Sequence, residues 1–207
     1  MKVTAMPPPP EFIFLDVGNV LVSFDHDRGL RQIAAASGVD LPDVEAFFVS
    51  RDLQQRLEAG AVSWPAAHAE FCQLTGSAVP LSEFSLAAGD IFSLRAEMLP
   101  VLAALRRLQM PVGLLSNSCE PHWQFICGSG YAFLPAGFPI TVLSHEVAAA
   151  KPAPAIYARA AGAAGVPPER IFFCDDIEAH VTAARAAGWD AELFSSAGRL
   201  IDDLTQR

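Results

Sequence analysis

The segment Phe12–Leu21, with the sequence FIFLDVGNVL, places four large apolar residues directly before an aspartate, Asp16, and a glycine, Gly18. A short apolar run that stops at an acid and a glycine is typical of a buried strand that delivers a carboxylate to a loop. In parallel α/β sheets, ligands bind at the carboxyl ends of the strands, where Asp16 would lie. The alternative is that Asp16 simply caps a following helix, and this segment alone leaves both interpretations open.

A second apolar run, Val112–Leu115, ends in a hydroxyl and an amide, those of Ser116 and Asn117. A serine O–H and the backbone N–H groups of a turn are donors that suit an oxyanion. Serine and asparagine end many strands, so this segment is a weak signal when it is considered alone.

Lys151 precedes a segment that is suited to the start of a helix. Pro152 and Pro154 fit a first helical turn, where a missing N–H costs nothing, so Lys151 would lie just before that turn. A single lysine at such a position is usually solvated, and it gains meaning only from its neighbours in the fold.

The fourth segment joins the apolar run Ile171–Cys174 to two adjacent acids, Asp175 and Asp176, and to a helical stretch that closes at Gly188. Adjacent carboxylates at the end of a strand repel each other, so a cationic group should lie near them. The acid pair is therefore a strong signal of a site.

Taken together and in this order, the four segments resemble the motifs of the haloacid dehalogenase (HAD) superfamily. The acid-x-acid motif is matched at Asp16–Gly18, the Ser/Thr motif at Ser116–Asn117, the lysine motif at Lys151–Pro152 and the acidic motif at Asp175–Asp176. Each motif alone is common, but four in order are specific, and the resemblance covers nearly the whole chain. The run DVGNVLVSFD is similar to the subgroup that contains sugar-phosphate phosphatases and the phosphatase domain of soluble epoxide hydrolases.

The composition narrows the classes of partner. The 207 residues carry a net charge of −9, and no basic stripe is present that would neutralise nucleic-acid phosphates. Hydrophobic residues make up 52% of the chain, but no uninterrupted apolar stretch approaches the roughly 20 residues that span a bilayer. We therefore expect no nucleic-acid partner and no membrane span, whereas a small phosphorylated substrate is compatible with a site in which a bound cation reverses the local charge.

The cysteines and the N-terminus bear on the compartment. The four cysteines, Cys72, Cys119, Cys127 and Cys174, show no metal-ligand spacing. Reduced thiols and a cytoplasmic location are the expectation, although Cys119 and Cys127 lie near the Ser116 segment and could be reactive. Residues 1–10 lack the pattern of a signal peptide and end in four prolines, which predicts a flexible or extended lead-in.

The order of apolar runs predicts an α/β fold. Strands are predicted at 12–15, 112–116, 140–143, 171–174 and 190–194, with helical patterns between most of them, which indicates a parallel, doubly wound sheet. The gap after the first strand is too long for one crossover helix. Helical stretches near 27–37, 42–57, 64–75 and 81–92 fill it.

The resemblance implies the same division of the chain. Residues 11–23 and 97–207 would form a Rossmann-like core, and residues 24–96 an inserted helical cap that closes over the active site. The cap residues Arg51, Gln54, Arg56 and Glu58 either face the site or form a solvated surface. Neither the substrate nor the oligomeric state is specified by the sequence.

The resemblance also implies a chemistry and a set of site residues. Asp16 would attack phosphorus to form an aspartyl-phosphate that water hydrolyses. Mg²⁺ would be held by the Asp16 carboxylate, the Gly18 carbonyl and Asp176, with Asp175 in support. The remaining roles follow the same motifs: Ser116, Asn117 and Lys151 would bind the phosphate. The implied function is a Mg²⁺-dependent phosphatase acting on a small phosphorylated metabolite, with a sugar phosphate favoured.

Gly18 departs from the pattern of most phosphatases in the superfamily, which have an aspartate there as acid/base. That role is typically worth 10²–10⁴-fold in rate, although the similar subgroup shows glycine and includes active enzymes. Substitute acids to consider are Asp25, Glu120 and His122, each of which could equally be a loop or surface residue.

The glycine leaves two rival functions open. A 2-haloacid dehalogenase needs no acid at this position, because halide leaves without a proton. A non-catalytic phosphate-binding protein could have lost its activity with the acid. Against the dehalogenase, three clustered carboxylates without a cation would raise one another's pKa values and weaken the nucleophile, so the acid pair favours the metal-dependent phosphatase. Against the non-catalytic protein, Asp16, Ser116, Lys151 and Asp176 are retained together.

Overall fold

The computed structural model describes residues 8–128, 131 and 136–207. Most of the predicted N-terminal lead-in therefore lies outside the described residues. The centre is a parallel sheet in the order β5-β4-β1-β6-β7. Its strands are β1 (Phe12–Leu15), β4 (Val112–Ser116), β5 (Ile140–Leu143), β6 (Ile171–Asp175) and β7 (Asp190–Leu193).

Helices cover both faces of this sheet, because side chains alternate between the faces along each strand. In β1, Ile13 and Leu15 pack on one side and Phe12 and Phe14 on the other. The first side carries α6 (Leu99–Arg107), α7 (Glu120–Gly128) and α11 (Ala197–Thr205); the second carries α9 (Pro154–Ala164) and α10 (Glu178–Ala186), with the short α8 (Ser144–Val147) beside β5. The predicted doubly wound α/β fold is confirmed.

A helical segment occupies the long gap after β1. It begins after β2 (Val22–Phe24) and ends at β3 (Phe92–Leu94), and these two strands pair in an antiparallel ribbon. Between them lie α1 (His26–Ser37), α2 (Leu41–Val49), α3 (Leu53–Glu58), α4 (Trp64–Thr75) and α5 (Leu81–Gly89). These helices have a core of their own around Phe71 and Phe84. The exact division into core and cap stays a prediction.

Two predicted helices differ from the observed ones. The stretch predicted as one helix over 42–57 is broken at Asp52, whose φ of 47° turns the chain so that Leu53 and Leu57 enter the helical core. The helix predicted over 81–92 ends at Gly89, because the chain continues into β3. The ribbon of β2 and β3 was missed, since strands of three residues are too short to show an alternating pattern.

Among the described residues, no helix has both the length and the apolar character that crossing a membrane requires.

Candidate active site

The ends of three neighbouring strands bring the first, second and fourth motifs together. Strand β1 lies between β4 and β6, and Asp16, Ser116 and Asp175 stand at the carboxyl ends of these three strands. Adjacent strands are only about 4.8 Å apart, so the three residues become neighbours although more than 50 positions separate each from the next. The Asp16 backbone N–H donates to the Cys174 carbonyl at 3.0 Å, which fixes the start of the β1 loop.

Lys151 reaches this edge from the loop before α9. Its ammonium nitrogen lies 2.8 Å from Asp16 Oδ1, 2.5 Å from Asp175 Oδ2 and 2.9 Å from the Leu115 carbonyl oxygen. An ammonium group has three protons, so all of them are donated. The Lys151 side chain is buried, so it is not a solvated surface lysine. It is the cationic group that we expect near the two adjacent acids.

Asn117 fixes the backbone from which the lysine extends. Its Oδ1 accepts from the Lys151 backbone N–H at 2.8 Å, and its Nδ2 donates to the Lys151 carbonyl at 2.9 Å. Two bonds to one residue leave that residue little freedom to rotate. The amide predicted to lie beside a phosphate thus has its side chain engaged in positioning Lys151, and its backbone N–H is the group left for an anion.

The two adjacent acids have different surroundings. Asp175 is fully buried and accepts from Lys151, from the Ile177 backbone N–H at 2.9 Å and from His180 Nδ1 at 3.0 Å. Asp176 is partly exposed, and its Oδ2 accepts from the Asn19 side-chain amide at 2.9 Å. The Asp175 carboxylate is therefore engaged by three different residues, whereas the Asp176 carboxylate accepts one hydrogen bond from the described residues.

The shared lysine sets the ionisation of the buried acids. Burial, which the nearby Lys151 charge only partly offsets, raises the pKa of Asp16 to about 6. Burial also acts on Asp175, but the Lys151 charge and the His180 hydrogen bond outweigh it and hold the pKa of that carboxyl below its usual range. Burial alone would lower the pKa of Lys151, yet the two carboxylates raise it. At neutral pH the cluster therefore holds an ionised lysine and ionised acids.

The cluster has more negative charge than its lysine can neutralise. Oxygens of Asp16, Asp175 and Asp176 lie within 4.8 Å of one another, and three carboxylates face one ammonium group. Hard carboxylate oxygens at this spacing fit an oxygen-binding divalent cation such as Mg²⁺. A cation there would also lower the pKa of Asp16, because an opposite charge favours the ionised form.

A small pocket opens beside this cluster, with a volume of about 60 Å³. On the sheet side, Gly18 and the residues 116–118 line it, directly after Asp16 and at the end of β4. On the opposite side it is lined by His26, Gln54 and Glu58 from the helical segment. The pocket therefore lies between the sheet edge and the helices, next to the predicted nucleophile.

The structure separates the three candidates for the acid that Gly18 lacks. Asp25 is exposed and caps α1, accepting from the Arg28 backbone N–H at 2.9 Å, and Glu120 accepts from Gln124 at 3.0 Å in the first turn of α7. Neither lines the pocket. His122 does line it, but burial, with repulsion from His26 and His145, lowers its pKa to about 3. A neutral imidazole of that kind is a poor proton donor.

The helical segment supplies pocket residues that the motifs did not identify. Of the four charged or polar candidates in that segment, Gln54 and Glu58 line the pocket, and the Gln54 amide donates to Glu58 at 2.7 Å. Arg51 instead pairs with Glu70 at 3.0 Å, and neither it nor Arg56 is among the pocket's lining residues. Gln54 and Glu58 are four positions apart, which places both side chains on the same face of a helix. This spacing is visible in the sequence.

The comparison with protein-family models gives one match. Residues 11–188 match the family of haloacid dehalogenase-like hydrolases. The match includes all four motifs and the whole helical segment. No curated protein sequence matched the chain.

Solved structures share this fold. A HAD family enzyme from Bacteroides thetaiotaomicron, crystallised with magnesium and inorganic phosphate, is 24% identical over 90% of this chain and 95% of that chain, with a TM-score of 0.78. A predicted HAD-like family hydrolase from Porphyromonas gingivalis is 22% identical, covering 96% and 98%, with a TM-score of 0.78. An L-2-haloacid dehalogenase from Xanthobacter autotrophicus, with chloropropionic acid covalently bound, is 18% identical over 95% and 83%, with a TM-score of 0.61. At these identities the likeness concerns the fold.

Proposed function

Because this chain belongs to the haloacid dehalogenase-like hydrolases, we propose that it is a Mg²⁺-dependent phosphatase of a small phosphorylated metabolite. The observation that carries the proposal is the buried network in which Lys151 joins Asp16 to Asp175 beside the partly exposed Asp176. The network holds a carboxylate in place and leaves an excess of negative charge for a cation. A dehalogenase has no need of that excess, because its reaction involves no metal.

Asp16 is proposed as the nucleophile. One of its oxygens forms a bond to phosphorus while the ester P–O bond breaks, and water then hydrolyses the aspartyl-phosphate. The contact with Lys151 at 2.8 Å orients the carboxylate, and its burial excludes bulk water from the attacking oxygen. Burial raises the pKa of Asp16 to about 6, but the Lys151 charge limits the rise, so the carboxylate is still ionised at neutral pH.

The proposed metal ligands are the Asp16 and Asp176 carboxylates and the Gly18 carbonyl, with Asp175 in support through Lys151. The Bacteroides enzyme that shares this fold was crystallised with magnesium and inorganic phosphate, which supports the same cofactor here. When bound, Mg²⁺ supplies positive charge that allows a dianionic phosphate to approach a carboxylate.

The phosphate group is proposed to bind at the ends of β4 and of the lysine loop. Ser116 has a weak contact to the Asn117 carbonyl, at 3.3 Å, which its hydroxyl can exchange for a phosphate oxygen. The backbone N–H of Asn117 is a second donor, and Lys151 supplies charge. Because Gly18 carries no carboxylate, the leaving oxygen is proposed to depart with little proton assistance. Glu58, which lines the same pocket as Gly18, is the residue to test if such assistance is found.

A sugar phosphate is the substrate class that the sequence resemblance favours. A cytoplasmic location is part of the proposal as well, and the four free thiols among the described residues are compatible with it.

The test is phosphate release from a panel of sugar, nucleotide and short organic phosphates, each measured with Mg²⁺ and with EDTA. The proposal expects release that requires Mg²⁺ and is lost in Asp16→Asn. Chloride release from 2-chloropropionate, independent of metal, would replace it with the dehalogenase function. Absence of both reactions, with phosphate still bound, would indicate the non-catalytic protein.

A further inference from the structure

A second pocket, of about 170 Å³, lies within the helical segment and adjoins the pocket beside Gly18. It shares four lining residues with the pocket beside Gly18: His26, Gln54, Ile91 and His122. These four residues form the boundary between the two spaces. A molecule whose phosphate lies beside Asp16 would therefore extend its remaining part toward this second pocket.

The walls of the second pocket are mostly apolar. Leu30, Ile33, Phe48, Leu57 and Trp64 provide much of its surface. These side chains come from four different helices of the segment, α1 to α4. The pocket is therefore a product of the helical packing and belongs to no single motif.

Apart from His26, which is an exposed residue at the boundary with the first pocket, the polar groups at the second pocket are engaged or uncharged. The Trp64 indole N–H donates to Ser85 at 2.8 Å, and the Gln54 amide donates to Glu58. Burial lowers the pKa of His122 to about 3, which leaves it neutral, and burial raises the pKa of the Cys119 thiol to about 12. A ligand in this pocket would find apolar contact and few partners for hydroxyl groups.

We propose that this pocket binds the apolar part of the substrate, which makes the substrate the phosphate monoester of a branched aliphatic or single-ring aromatic alcohol. A cavity of about 150 Å³ with aliphatic and aromatic walls holds one benzene molecule, so 170 Å³ is enough for one ring or a short branched chain. This inference rests on the phosphatase function proposed above and replaces the sugar phosphate as its substrate class.

A polyhydroxylated sugar fits this pocket poorly, because each buried hydroxyl without a partner costs free energy. An alkyl group gains from the same burial, at about 0.8 kcal/mol per CH₂. Among phosphate monoesters whose leaving groups have similar acidity, the protein should therefore prefer an alkyl ester to a polyhydroxylated one.

The experiment compares methyl phosphate, 3-methylbutyl phosphate and glycerol 3-phosphate, all esters of primary alcohols. The wild-type protein with Mg²⁺ should hydrolyse the 3-methylbutyl ester with a kcat/KM at least about tenfold above the other two. A kcat/KM for 3-methylbutyl phosphate equal to or below that for glycerol 3-phosphate would overturn the inference and leave the phosphatase function standing.

A pair of variants locates the preference. Ala88 lines the pocket, whereas its neighbour Ala87 does not, and each has 8% of its surface exposed. Ala88→Leu should raise the KM for the 3-methylbutyl ester about tenfold more than the KM for methyl phosphate. Ala87→Leu should change the two KM values by the same factor. Equal effects of the two variants would show that the space is only a packing defect.

A binding measurement separates this inference from the proposed function. The product-like alcohol 3-methyl-1-butanol is titrated into the wild-type protein, and the NMR signal of the Trp64 indole N–H, assigned with Trp64→Phe, reports on the pocket. A saturable shift supports the pocket even if no ester is hydrolysed, and the same concentration of glycerol should give none. Absence of a shift would overturn the inference whatever the activity. Because this titration uses the wild-type protein, it tests the inference even if a pocket variant fails to fold.

Discussion

The two sides of the candidate site are built on opposite principles. At the sheet edge, Lys151 donates all three of its protons and Asp175 accepts from three different residues. On the helical side, the walls are aliphatic and aromatic side chains whose contacts have no direction. The first side fixes atoms in place for a reaction, and the second offers a shape that can accept one kind of molecule.

The difference has an energetic basis. A buried charge is tolerated only when it is paired and hydrogen-bonded, so removing one partner at the sheet edge is costly. Apolar walls tolerate volume-conserving changes at little cost. We therefore expect substitutions at the sheet edge to change chemistry or stability strongly, and substitutions among the helices to change which substrate is accepted.

The largest expected effect is that of Asp16→Asn. The amide is nearly the same size but is a poor nucleophile, so phosphate release should fall about 10⁴-fold or more. The control is Asp90→Asn on the helical side, where the carboxylate pairs with Arg28 at 2.6 Å near the surface. That variant should keep its activity. An Asp16→Asn protein with turnover near that of the wild type would exclude aspartyl-phosphate chemistry.

The adjacent acids should respond differently to removal. Asp176→Ala should weaken Mg²⁺ binding at least about 100-fold with little loss of stability, because Asn19 is the only one of the described residues that bonds to that carboxylate. Asp175→Ala should lower the free energy of unfolding by about 3 kcal/mol, because Lys151, His180 and a backbone N–H lose their acceptor. Calorimetry with MgCl₂ and urea unfolding measure the two effects. Equal activity in EDTA and in Mg²⁺ would contradict the assignment and revive the dehalogenase function.

Magnesium affinity should depend on pH in the acid range. Burial raises the pKa of Asp16 to about 6 in the metal-free protein, so below pH 6 a proton competes with the cation for that carboxylate. The apparent Kd should rise about tenfold between pH 7 and pH 5 and stay level above pH 7. Titration in two buffers of different ionisation enthalpy would detect the released proton. Asp16→Asn should remove the dependence, and a flat wild-type profile from pH 5 to 7 would disagree with this pKa.

Gly18→Asp should give the smallest effect. In the wild type, without an acid at Gly18, the rate should fall steeply as the leaving-group pKa rises. The backbone at Gly18 is not left-handed, and a Cβ there would lie 3.0 Å from the Phe24 ring edge, which is 38% exposed and can move. The new acid should flatten the dependence and speed poor leaving groups about tenfold, at or below the low end of general-acid catalysis.

Two further variants serve as controls for the leaving-group series. Gly18→Asn has the same size without the proton and should leave the dependence steep. If the wild-type series is already flat, another residue supplies the proton. Glu58→Gln should then make the series steep, since Glu58 lines the pocket where Asp25 and Glu120 do not.

The sequence by itself determined which acidic and hydroxyl side chains meet at the sheet edge. Asp16, Ser116 and Asp175 each follow an apolar run, and in a parallel sheet all such ends meet at one edge. That rule needs no distances, so the fold class and the clustering of the acids were predictable, whereas Lys151 was assigned to the site through the resemblance to the motifs of the superfamily. The departure at Gly18 was visible in the sequence through the resemblance to the motifs of the superfamily.

Only the tertiary structure decided how the site is completed. Asn117 positions Lys151, and His180 bonds to Asp175, because side-chain geometry selects one among many polar residues near a strand end. The left-handed turn at Asp52 placed Gln54 and Glu58 at the pocket. The apolar pocket itself is assembled from side chains on four helices, and contacts between residues distant in sequence depend on how helices pack, which local patterns do not encode.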